Sequence, residues 1–328
     1  MEVDNEARKV LLDNGIRSQF LDLFASAGFL TREKLTATPP MTISFQTHVP
    51  LNICNDAADI LAKAIAPEVK IVEEEDIGVL FHDDILDNLI KIPKNGIIEF
   101  TGPAGCGKSN IIYHLLINQI ISDPERRVVL ISTEGHVPTQ RLHKIAEMRG
   151  LDPEEVLSMI LIKEATEVVE FNQIINVTLP QLFSTCVPPP SIVAIDSIAA
   201  LFRSEFDMNA AKQRAQMLFD MSTILKWISA SYNCLIFTTN QVTANMGPFT
   251  TQEWVPSLGL AWSNCVNMRV RVTKSSMKRD IQEEVPTAYG RNSESKTVTL
   301  RTMYVEISPR AQDVKATFYI SDSGVHGA

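Results

Sequence analysis

One stretch limits what this chain can fold into more than any other: Gly102-Pro103-Ala104-Gly105-Cys106-Gly107-Lys108-Ser109. It fits G-x-x-x-x-G-K-[ST], and its surroundings fit as well. Ile97-Ile98-Glu99-Phe100-Thr101 before it is a short apolar run that reads as a buried strand. After it, Ile111, Ile112, Leu115, Leu116 and Ile120 recur at helical spacing up to Asp123-Pro124. A glycine-rich turn from strand to helix lets consecutive backbone N–H groups converge on an anion, and the helix N-terminus adds partial positive charge. Residues Gly102 to Asn110 would then cradle phosphates. Lys108 would reach the β- and γ-phosphates of a nucleotide, and Ser109 would offer its hydroxyl oxygen to Mg²⁺. ATP and Mg²⁺ are the expected ligands.

Downstream, strands and helices alternate. Val128–Ile131, Ile160–Ile162, Ile192–Ile195 and Leu235–Phe237 are short apolar runs separated by helical segments. That order predicts an α/β fold, a mostly parallel sheet with helices on both faces. Ligands of such sheets bind at the C-terminal strand ends, which directs attention to three polar residues. Asp196 closes Ser191-Ile192-Val193-Ala194-Ile195 and matches a second nucleotide motif, where an aspartate supports the metal shell. Glu134 ends Ser132-Thr133-Glu134 and is placed either to polarise an attacking water or simply to cap a surface turn. Gln241 follows Phe237-Thr238-Thr239-Asn240, and its amide both donates and accepts, as a γ-phosphate sensor must.

Charge narrows the partners. The chain carries a net −9 over 328 residues, which excludes a wholesale basic nucleic-acid binder. Residues 1–95 hold 9 Lys/Arg and 16 Asp/Glu, a balance of −7 that favours protein docking over phosphate contact in the first part. Residues 266–315 hold 10 Lys/Arg and 6 Asp/Glu, a balance of +4. Arg269 and Arg271 lie there, on a run that alternates as a strand, so this segment is either a DNA-contacting face or a solvated edge. Five cysteines with no C-x-x-C pair read as free thiols in a reducing compartment. No apolar run is long enough to span a membrane.

Short helical patterns punctuated by Gly15, Gly28, Pro39-Pro40 and Pro50 predict a small all-α domain over 1–67. A linker with the acidic run Glu73-Glu74-Glu75-Asp76, followed by a short helix around Ile85–Ile90, accounts for 68–95. The core then takes 96–328, with further strands expected at 268–272, 297–307 and 316–320. Phe24-Ala25-Ser26-Ala27 spells F-x-x-A inside a predicted helix and reads as core packing. Val242 to Pro256 shows little periodicity and reads as a long loop or a linker, with Met246, Phe249 and Trp254 suited to stacking on bases.

The order of the phosphate loop, Thr133-Glu134-Gly135 with Arg141-Leu142, Ile195-Asp196-Ser197 and Thr239-Asn240-Gln241-Val242 resembles the RecA/RadA recombinase family. Ala200–Asp207 and Pro256–Asn264 are similar to its paralogue branch. The resemblance implies a RecA-like P-loop ATPase core, with Lys108, Glu134 and Gln241 catalytic and Arg141 against the adenine. Ser109 and Asp196 would hold the metal. Arg203 would open a first DNA-facing loop, and Asn245 would lie in a second. The sequence departs from the strand-exchange enzymes: 206–213 lacks their glycine-arginine-glycine stretch, and the second loop lacks their basic, glycine-rich run. An auxiliary ATPase of homologous recombination is therefore expected. Its expected partners are another recombinase paralogue, the main eukaryotic recombinase and single-stranded DNA, in the nucleus with a cytoplasmic pool. A stand-alone strand-exchange ATPase and a non-hydrolysing adaptor are the alternatives.

Overall fold

The computed structural model describes residues 4–65, 77–204, 211–244, 254–287, 290–309 and 313–328. The chain divides between Val72 and Glu73 into two compact units. The first is all-helical: α1 (Asn5–Asp13), α2 (Ser18–Ser26), α3 (Arg32–Ala37), α4 (Pro40–Thr47) and α5 (Leu51–Ile65). Asp4 caps α1 by accepting from the N–H groups of Glu6 and Ala7, which have no partner inside the helix. Leu11, Leu21, Phe24, Leu35, Ile43 and Leu61 close its core. Phe24 is fully buried, so the F-x-x-A spelling is core packing, as the helical pattern predicts.

The second unit runs α6 (Asp84–Leu89), β1 (Gly96–Thr101), α7 (Lys108–Ser122), β2 (Val128–Ser132), α8 (Thr139–Met148), α9 (Pro153–Ser158) and β3 (Ile160–Glu164). α10 (Val168–Gln173) continues through a π-turn, Ile174–Thr178, into α11 (Leu179–Thr185). Then come β4 (Ile192–Asp196), α12 (Ile198–Ser204), α13 (Ala211–Tyr232), β5 (Leu235–Asn240), β6 (Val242–Ala244), β7 (Trp254–Pro256) and α14 (Gly259–Ser263). Strands β8 (Met268–Thr287), β9 (Gly290–Ile307), β10 (Lys315–Ser321) and β11 (Gly324–Gly327) finish the chain.

Nine strands form one sheet in the order β11-β10-β9-β8-β1-β5-β4-β2-β3. From β8 to β3 all pairings are parallel, and β8 to β11 are antiparallel. One core packs α6 to α9 against a face of the sheet, around Phe100, Leu116, Leu130, Phe237 and Phe318. The other packs α10 to α14 against the opposite face, around Ile97, Val129, Phe171, Phe202 and Trp262. Both faces are covered, which is why β1, β2, β4 and β5 are buried along nearly their whole length without an inside–outside alternation.

Three expectations are refined. Residues 77–95 belong to the second unit: Phe81, Leu86, Ile90 and Ile92 are buried in its core, and Gly78 N–H donates to the Ile92 carbonyl at 2.8 Å. Apolar spacing identified a helix there but cannot say which neighbour covers its apolar side. The 242–256 segment has structure at its base, where β6 and β7 pair antiparallel, while 245–253 lies outside the described residues. β8 and β9 run past the predicted strands to make a long arm, and its outer residues are mostly exposed. Two exposed faces leave no hydrophobic alternation to read.

A polar cluster fastens the C-terminal hairpin to α7. His114 Nδ1 accepts from the Val325 N–H at 3.0 Å, and its Nε2 lies 2.8 Å from the Phe81 carbonyl. The ring is therefore neutral with its proton on Nε2, and burial pushes its pKa down to about 2. Arg149 adds contacts to Asn118 and the Ser323 carbonyl.

Candidate nucleotide site

The loop after β1 makes its turn on glycines that nothing else replaces. A Cβ on Gly102 would lie 2.1 Å from the Val272 carbonyl oxygen of β8. Gly107, the residue capping α7, has φ 108°, and a Cβ there would lie 2.4 Å from Ile320 Cδ1. Cys106 is buried beneath the loop, and burial raises its thiol pKa. Lys108 folds over it, donating to the carbonyls of Gly102 at 2.8 Å and Pro103 at 3.0 Å.

Sheet order brings the other residues to this loop. β1, β5, β4 and β2 are adjacent and parallel, so their C-terminal ends share one edge. Thr101 is level with Asn240, and Ser132 with Asp196. Gln241, Asp196 and Glu134 thus line one cavity with Lys108 and Ser109, of ≈ 270 Å³. Gln241 Nε2 donates to Glu134 Oε1 at 2.9 Å, and Ser197 Oγ donates to the same oxygen at 2.8 Å. Asp196 accepts from Thr239 Oγ1 at 2.6 Å and shares the cavity wall with the Ser109 hydroxyl. Burial raises the Asp196 pKa, and those two hydroxyls work against the rise.

The donor set fits a nucleotide with Mg²⁺. One half-buried carboxylate and one hydroxyl beside an anion cradle suit a hard cation that keeps waters and takes phosphate oxygens. Among the described residues no group of three His, Cys, Asp or Glu is placed to hold a metal by itself.

Arg141 stands beside a second cavity of ≈ 260 Å³, which shares Asn110, Arg301 and Ile320 with the first. Its guanidinium is held by Asn110 Oδ1 at 2.7 Å and by the carbonyls of Ser321 at 2.7 Å and Asp322 at 3.2 Å. No local sequence pattern singles out Arg301. It sits in an ordinary alternating strand, and only the β9 register carries it to the loop.

The DNA-facing candidates fare differently. Asn245 lies outside the described residues, and Arg203 lies in α12, with its side chain also outside them. Arg269 is corrected: it is buried, and its Nε donates to Glu99 Oε2 at 2.5 Å. Glu99, fully buried, also accepts from Asn240 Nδ2 at 2.7 Å and Trp262 Nε1 at 2.9 Å. Alternation put Arg269 on a strand correctly, but that strand lies inside the sheet with both faces covered. Arg271 is paired too, with Glu306 at 2.6 Å, and its guanidinium lies 5.2 Å from the Tyr304 ring centroid. Of the +4 balance of 266–315, the Glu99 pair takes up one charge, because Glu306 is already counted within the segment.

The chain is similar to known proteins over this region. It is 26% identical over 262 residues to the DNA repair protein XRCC3 of Mus musculus, an alignment covering 72% of this chain and 70% of that protein. It is 25% identical over 287 residues to the DNA repair and recombination protein RadA of Metallosphaera sedula, covering 83% and 87%. The crystal structure of the RadB recombinase matches with a TM-score of 0.58 at 22% identity, over 76% of this chain and 100% of that one, a likeness of fold. The Rad51 family model matches residues 77–283, more than half of the chain and every strand-end residue of the cavity except those contributed by β9 and β10; the chain belongs to the Rad51 family.

Proposed function

We propose that this chain is an ATP-binding auxiliary protein of homologous-recombination DNA repair, acting with recombinase-family partners on single-stranded DNA in the nucleus. One observation carries the reading: Lys108, Ser109, Glu134, Asp196 and Gln241 meet in one cavity over the phosphate loop. In this reading the loop amides and Lys108 hold the phosphates, while Ser109 and Asp196 hold Mg²⁺. The metal, when bound, neutralises charge growing on phosphate oxygens. Glu134 orients the attacking water and takes its proton. Gln241 is bonded to that carboxylate, so its position follows the state of the site and passes it to β6, which begins at the next residue. Turnover is slow or depends on the partner.

The nucleotide assignment is tested by calorimetry. Lys108→Ala removes a charge-assisted contact and should cost about 1.5–3 kcal/mol of ATP binding, roughly ten- to a hundredfold in Kd. Equal affinity in the two proteins would defeat it.

The internal pairing of Arg269 and Arg271 favours action through a partner over an independent grip on DNA. The pure chain should bind single-stranded DNA weakly, with log K falling against log salt at a slope of about −1 to −2. Binding with a slope beyond about −4 would indicate several phosphate contacts and a stand-alone recombinase.

A further inference from the structure

We propose that Arg301, reaching from β9 onto the phosphate loop, is a second cation for the nucleotide and binds its α- and β-phosphate oxygens. The inference rests on the nucleotide reading above and adds a residue and a subsite to it. Arg301 lines both cavities, and so stands where the phosphate end meets the nucleoside end. Its Nε and Cδ lie 3.5 and 3.6 Å from where a Cβ on Gly107 would be. The guanidinium therefore covers the first residue of the α7 cap.

That position is electrostatically costly without an anion. The α7 N-terminus carries N–H groups without intrahelical partners and partial positive charge, has no side-chain cap and has no acidic residue in its first turn. Lys108 adds a full charge beside it. Among the described residues no carboxylate forms an ion pair with Arg301. Its NH1 donates to the Thr299 carbonyl at 2.8 Å, but its Nε is buried and has no hydrogen-bond partner. A buried guanidinium N–H left unpaired costs free energy, and a phosphate oxygen relieves it with a charge-assisted bond. The lowering of the Arg301 pKa by burial has the same origin.

Geometry also selects which phosphates. Ser109, Glu134, Asp196 and Gln241 line the first cavity alone, at the end where a terminal phosphate and its attacking water belong. Asn110, Arg301 and Ile320 are common to both cavities. Arg301 is therefore blind to the γ-phosphate and holds the part that ATP and ADP share.

The test uses the full chain and calorimetric titration with ATP and with ADP. Arg301→Gln should weaken both by about tenfold and to the same extent. Arg301→Lys keeps the charge but loses the fork, and should weaken both about two- to fivefold. A purely structural role makes the opposite prediction for stability. Here Arg301→Gln removes an unpaired charge, so the melting temperature without nucleotide should hold or rise while the shift produced by ATP shrinks. A wild-type chain that binds neither nucleotide would sink the nucleotide reading itself. A wild type that binds, with both variants binding equally well, overturns only the role of Arg301. Loss of ATP binding with ADP binding intact overturns the α/β assignment. Should Arg301→Gln not fold, the Lys variant decides, and unchanged affinity there rejects the proposal.

Discussion

Arg269→Met is expected to destabilise the second unit by about 3–5 kcal/mol, the cost of stranding one partner of a buried ion pair. Glu99 would be left fully buried, accepting from Asn240 and Trp262 but with no cation. The pair joins β1, which carries the phosphate loop, to β8, and through Asn240 to the end of β5. Urea unfolding followed by tryptophan fluorescence reports on this unit alone, because Trp227, Trp254 and Trp262 all lie within it. The double variant Arg269→Met/Glu99→Gln should recover a large part of the loss. It removes both charges and keeps an acceptor for the two neutral donors. A single variant with an unchanged midpoint and weakened DNA binding would restore Arg269 to the DNA-facing list.

Glu134→Gln is expected to lower ATP turnover roughly a hundredfold, the scale of a lost general base, while ATP affinity stays within a few-fold. The amide oxygen can still accept from Gln241 Nε2 and Ser197 Oγ, the two bonds that now hold the side chain, so its placement survives. What disappears is the capacity to take a proton from water. Steady-state phosphate release with saturating ATP, recombinase partner and single-stranded DNA is the measurement, paired with calorimetry for binding. Unchanged release would move the general-base role to another group and leave Glu134 as a fixed anchor for Gln241.

The two experiments separate residues that looked alike in the chain. Glu134, Asp196 and Gln241 could be read in advance because each ends an apolar run, and in a parallel sheet the strand ends share one edge whatever the strand order. Arg269 also belongs to a strand, but its position along β8 puts it beside Glu99 rather than at that edge. Nothing in Met268-Arg269-Val270-Arg271-Val272 distinguishes a charge paired inside the sheet from one facing solvent. The difference lies in Glu99, 170 residues away.

By itself the sequence determined the phosphate loop, the short buried strands, the helix after the loop and the polar residues closing β2, β4 and β5. These rest on local physics: glycine where a side chain will not fit, apolar runs where both faces are covered, and periodicity in α7. Only the tertiary structure decided which charges are spent internally, how far β8 and β9 extend, that residues 77–95 join the core, and that Arg301 reaches the loop. Those outcomes depend on strand order and register, which pair residues far apart in the chain. The energy of such a pair appears only when both partners are buried together, and no local pattern records it.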